Sequence, residues 1–189
     1  MTGPTAYQIR EFVTAGHWDL PTVRAMLAEA PALLNRAHAW TPTDHETAIQ
    51  AAAHVGHAPI AEFLLAQGAP LALPTAAMLG RRADVERLLA EDPARSGEAG
   101  AHGIPLLAHA AFSGDADLVR WLYERGARAG ASMALAHAAQ SGHLAVARWL
   151  VENAGPDLAW KNWQEKTALE LAEAAGHTEV AALLRGAGA

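Results

Sequence analysis

The 189-residue chain contains no cysteine. That excludes a disulfide framework, a thiolate metal site and a cysteine nucleophile, and it fits a reducing compartment. Lysine is nearly absent, with Lys161 and Lys166 set against twelve arginines, and the net charge is −6. Such a balance repels phosphate backbones, and no local Lys/Arg stripe compensates, so no nucleic-acid partner is expected. Long hydrophobic runs are missing too. The longest uncharged stretch in the apolar middle, Phe63 to Gly80, is interrupted by Gln67, Pro70 and Pro74. A spanning helix needs about 20 mainly apolar residues, so no membrane segment is expected. Met1 to Arg10 lacks the basic start and apolar run of a secretory signal. These absences lead to the expectation of a cytoplasmic monomer without membrane contact.

What the chain does hold is alanine, 47 residues of 189, within a hydrophobic fraction of 51% that is too high for disorder. Aromatic residues make up only 6%, yet Trp supplies six of the eleven. The alanines fall in a repeating pattern. The run Ala136-His137-Ala138-Ala139-Gln140-Ser141-Gly142-His143 is followed by Leu144 to Leu150, and it echoes Ala108-His109-Ala110-Ala111-Phe112-Ser113-Gly114-Asp115 followed by Ala116 to Leu122. Weaker copies occupy Gln50 to Leu65, Ala76 to Leu89 and Glu170 to Leu184, and a divergent first copy covers Ile9 to Leu27. Gly16, Gly56, Gly80, Gly114, Gly142 and Gly176 mark the phase. Each copy reads as a short Ala-rich helix stopped by a glycine able to turn left-handed, then a second helix with apolar residues at helical spacing. Neither helix is long enough to stand alone, so each must bury its apolar face against the next copy.

The phase and these motifs resemble the ankyrin repeat. Thr47-Ala48-Ile49-Gln50-Ala51-Ala52-Ala53-His54-Val55-Gly56-His57 and Thr167-Ala168-Leu169-Glu170-Leu171-Ala172-Glu173-Ala174-Ala175-Gly176-His177 carry the resemblance most fully, joined by Gly142 to Val146 and Leu64 to Ala69. It implies an all-α solenoid of stacked helix-turn-helix pairs with hairpin fingers of irregular length. The whole of 1–189 then reads as one domain, with repeats near 7–40, 46–73, 74–103, 104–131, 132–166 and 167–189. The family's Thr-Pro-Leu-His signature is nowhere complete: its His position holds Arg10, Gln50, Pro74, Ala108, Ala136 and Glu170. His17-Trp18 reads as a two-residue insertion between the helices of copy one. Paired alanines such as Ala52-Ala53, Ala110-Ala111 and Ala138-Ala139 let neighbouring first helices approach closely.

In that family, fingers and first helices line a concave face. The connections here are unequal: long at Asn35 to Glu46, almost absent at Gly68 to Pro74, of normal length at Asp92 to Gly103 and Gly155 to Lys166, and short at Gly126 to Ser132. Missing fingers between long ones break the face into pockets. Candidate partner- or ligand-binding residues on fingers are His38, Trp40, His45, His102, Trp160 and Trp163. Those on first helices are Tyr7, Glu11, His54, Met78, His109, Phe112, His137 and Gln140. Trp121 and Trp149 occupy equivalent second-helix positions and read as packing, and Trp18 reads as a plug for the inserted turn.

Ten histidines raise the question of metal or catalysis. His57, His143 and His177 follow the helix-ending glycines and read as structural. Nothing has the spacing of a compact metal signature, so no metal and no cofactor are expected. His109 and His137 fill one position in adjacent copies, about 10 Å apart at ordinary helix spacing. They are either semi-buried structural histidines or a polar pair that binds a ligand or moves protons. The carboxylates Glu11, Asp44, Glu46, Glu170 and Glu173 are scattered, and spacing does not show which converge. Two functional readings follow. The first is a module binding a protein or peptide partner in its concave groove. The second is a groove adapted to a small molecule, as a metal-independent acid–base enzyme of the cyclase, isomerase or dehydratase type, with His109, His137 and Glu173 as the catalytic candidates.

Overall fold

The computed structural model describes residues 3–189. Its helices run in consecutive pairs: α1 (Ala6–Ala15) with α2 (Leu20–Glu29), α3 (Ala48–His54) with α4 (Ala58–Ala66), and α5 (Leu73–Met78) with α6 (Arg82–Glu91). The remaining pairs are α7 (Leu106–Ala111) with α8 (Ala116–Glu124), α9 (Ala131–Ser141) with α10 (Leu144–Asn153), and α11 (Ala168–Ala174) with α12 (Thr178–Gly186). First helices pack in sequence order, α1 on α3, then α5, α7, α9 and α11, which is a solenoid. None of the described helices is long and apolar enough to cross a membrane.

Local chemistry explains where these helices begin and end. At Thr5 and Thr167 the side chain accepts the backbone N–H of Gln8 and Glu170, while those side chains accept the threonine N–H at 2.9 and 2.8 Å. Gln50 accepts the Thr47 N–H in the same way. Gln and Glu thus replace the family's histidine in capping boxes. In copy one this partner is Gln8, not Arg10. α1 also has ten residues where α3 has seven, so part of the extra length in copy one lies inside the helix rather than in the His17-Trp18 turn.

Gly142 ends α9 in the left-handed region at φ 73°, and Gly56, Gly80, Gly114 and Gly176 do likewise in their copies. Gly16 departs from the expectation. Its φ is −54°, and it is glycine because a Cβ would lie 2.7 Å from the Ala48 carbonyl oxygen. His143 and His177 each donate through Nε2 to the end of the preceding first helix, at Phe112 O (3.0 Å) and Gln140 O (3.1 Å). They stitch successive turns together, which is the structural role their position suggested.

The alanine pairs are fully packed: Ala52, Ala110, Ala111, Ala138 and Ala139 expose no surface. The core nevertheless divides in two. One cluster joins copies one and two and takes in Met78 and Phe112, and the other runs from Leu73 to Leu184. α5 contributes to both. Trp121 lies under the Arg125 guanidinium at the end of its own helix at 3.8 Å and also meets that of Arg82 on α6 at 5.7 Å, while Trp149 meets Tyr123 of the preceding copy edge-on at 5.3 Å, so both tryptophans reach a neighbouring copy. Trp18 does not plug its turn: it is 67% exposed, with one edge tilted against His17.

Among the described residues only the first connection forms strands, β1 (Ala37–Ala39) antiparallel to β2 (His45–Thr47), with His38 opposite Glu46. The connection between α6 and α7 is built instead from two 3-10 turns, Pro93–Gly97 and Ala101–Gly103. Because almost no finger joins α4 to α5, this segment has room to lie back against β2 and α3.

Candidate functional site

The convergence point is Glu46, on β2, with no exposed surface. Register forces it inward: its strand neighbour His45 faces solvent, as alternation requires. Trp40, from the hairpin loop, donates its indole N–H to Glu46 Oε2 at 2.8 Å. His54, the last residue of α3, places Nδ1 2.8 Å from Oε1. His17, from the long turn of copy one, places Nε2 3.6 Å from Oε2. His102, from the folded-back connection, places Nε2 3.3 Å from Oε1 and donates Nδ1–H to Asp44 Oδ2 at 2.6 Å. The three rings meet edge to face, His17 on His54 and His54 on His102, each with centroids 4.9 Å apart.

Burial works to raise the pKa of Glu46, but the His54 ring, the Trp40 N–H and the nearby His17 outweigh it and hold the carboxyl below its usual range. Burial likewise lowers His17, only partly offset by Glu46 and by the Thr14 carbonyl that its Nδ1 meets at 3.0 Å. Asp44 is held low by its hydrogen bond from His102. His102 adopts a left-handed backbone, φ 58°, uncommon for a residue with a Cβ and tolerated where surrounding contacts over-determine it.

Of the residues singled out in the sequence, Trp40, His54 and His102 come together here. His38 only flanks the group, edge-on to Trp40 at 4.5 Å, and His45 is exposed with Nε2 3.2 Å from Pro42 O. In the sequence His17 reads as part of an insertion, and Glu46 and Asp44 stand among scattered carboxylates. Only one signal is available in the sequence: copy one departs from the repeat and supplies His17, and the nearly absent second connection leaves the space into which the segment carrying His102 folds.

The other candidates sit elsewhere. Met78 is buried in the core at 2% exposure, and His109 at 1%, so neither belongs to an open surface. His109 Nδ1 donates to Ala53 O at 3.2 Å, and its Nε2 has no partner. Burial pushes His109 down to about 3, against a weaker upward effect of the Ala53 bond, and pushes His137 down to about 4. His137 donates Nδ1–H to Ala108 O at 3.0 Å and stacks on Phe112 at 4.1 Å between centroids. Glu173 pairs with Arg185 on α12, two copies away from His109. Tyr7, Glu11, Gln140 and Trp163 are exposed, and Trp160 is half-buried against the core.

Two family models match the chain: one ankyrin repeat over residues 44–77, and ankyrin repeats in three copies over residues 107–189. The chain belongs to the ankyrin-repeat family. No curated protein is significantly similar to it. Ankyrin repeats generally serve as protein-interaction modules. Within this ankyrin-repeat chain, Glu46 and His54 lie inside a matched repeat, whereas His17, Trp40 and His102 fall outside both matches.

Proposed function

We propose that the chain binds a protein or peptide partner along the face formed by its first helices and their connections. The observation that carries this reading is Trp163, 87% exposed in the turn between α10 and α11, where Trp160 beside it packs inward. Tryptophan is enriched among the few residues that carry most of an interface's binding energy, so an exposed indole on this connection is suited to anchor a partner. Tyr7, 72% exposed, and Gln140 extend the same kind of surface along the first helices. The enzyme reading draws less support. His109 is sealed by Gly100 and Ala53, the cleft beside it measures only about 40 Å³, and the larger cleft of about 420 Å³ lies between α2 and α4, away from every candidate catalytic side chain.

The test is retention of the native partner by immobilised chain. Trp163→Ala is expected to weaken retention at least tenfold with an unchanged melting temperature, as hot-spot truncations do. Glu86→Ala, on the second-helix side, is expected to leave it intact. Equal retention by Trp163→Ala and wild type would overturn the reading.

A further inference from the structure

We propose that His17, Glu46, His54 and His102 form a binding site for one divalent ion of the zinc class. The inference is independent of partner binding and starts from which ring nitrogens are free. His17 Nδ1 faces the Thr14 carbonyl and must donate, so the neutral ring turns the lone pair of Nε2 toward Glu46. His102 Nδ1 faces the Asp44 carboxylate and must donate, so in the neutral ring the lone pair of Nε2 points toward Glu46 Oε1. In their neutral forms the two imidazoles present electron pairs, not protons, to a buried anion. A cation among them converts that repulsion into coordination.

Two further observations point the same way. His54 Nδ1 and Glu46 Oε1 lie 2.8 Å apart, yet neither is aligned for a hydrogen bond and both remain buried without a partner. The ligand atoms of His17, Glu46 and His54 all fall within 4.8 Å of one another. A tetrahedral zinc ion with bonds of roughly 2.0–2.2 Å sets its ligand atoms roughly 3.3–3.5 Å apart. The observed separations of 2.8 and 3.3 Å from Glu46 Oε1 to His54 Nδ1 and His102 Nε2, and of 3.6 Å from Oε2 to His17 Nε2, lie around that spacing.

The surroundings complete the pattern. Metal-bound histidines characteristically donate their second N–H to a carboxylate or a backbone carbonyl, as His102 does to Asp44 and His17 does to Thr14. Trp40 N–H on Oε2 orients Glu46. Three imidazoles with one carboxylate suit zinc and its neighbours, whereas calcium and magnesium demand six or more oxygen ligands. His102, the most exposed of the four at 31%, provides the entry path and the closing ligand.

The experiment uses the full chain, stripped with a chelator and titrated separately with Zn²⁺ and Co²⁺. One ion per chain is expected, with the visible absorption of four-coordinate cobalt and a melting temperature higher by roughly 5–10 °C at about a hundred times Kd. His102→Gln, on an exposed segment, is expected to keep the metal-free melting temperature and to lose at least tenfold in affinity. Glu46→Gln is expected to abolish the cobalt spectrum, and His45→Gln to behave as wild type. Absence of saturable one-to-one binding, or His102→Gln and Glu46→Gln binding zinc as wild type does, would overturn the proposal in favour of protonated histidines paired with Glu46.

Discussion

His109 and His137 show what burial does to a single ring. Unfolded, each titrates near 6.5, while folded, burial holds them at about 3 and about 4. Above pH 6.5 neither state binds a proton and stability is level. Below it the unfolded chain takes up protons that the folded chain refuses, so stability falls as the pH drops from 6.5 toward about 4. Each ring removes up to about 1.4 kcal/mol per pH unit in that window. The urea midpoint is therefore expected to be lower at pH 5.0 than at pH 7.5, and His137→Gln is expected to reduce the difference. Equal midpoints in the wild type would contradict the buried, neutral assignment. Ala139, with no exposed surface between α7 and α11, makes a second case. Ala139→Leu is expected to cost about 1–3 kcal/mol through overpacking, seen as a lower melting temperature.

Among the elements, the helix pairs were legible in the sequence because their signals are local. Threonine caps, alanine pairs and the left-handed glycines each act within a few residues of themselves. Gly16 could be read only in part: the glycine is evident, but its reason is the Ala48 backbone 32 positions away. The site was legible only as fragments. His17, Glu46, His54 and His102 come from four segments, and no spacing rule connects them. What joins them is the near-absence of a finger between α4 and α5, into which the next connection folds. Gly100 is the tight point of that fold, since a Cβ there would lie 2.4 Å from His109 Nε2. Gly100→Ala is expected to push the connection outward, lowering both the melting temperature and the affinity for zinc. An unchanged affinity would separate His102 from the site. The two indoles of the last connection should also separate, with Trp160→Ala losing stability and Trp163→Ala losing only the partner.

For the molecule as a whole, the division of the core at α5 gives the departures from the repeat a common consequence. A regular solenoid spreads its stability evenly through nearest-neighbour interfaces. Here the first two copies share one apolar cluster, and the rest share another. His17, Glu46 and His54 belong to the first part, while His102 precedes α7 in the second, so an ion held by all four would lock the two together. The most direct test is amide hydrogen exchange of the full chain, with one equivalent of zinc and after chelation. Zinc is expected to slow exchange in the His17 turn, in β2 with the start of α3, and in the connection before α7, leaving α9 to α12 unchanged. Exchange that is identical with and without zinc, or slowed evenly along all six copies, would contradict the convergence of these segments on Glu46.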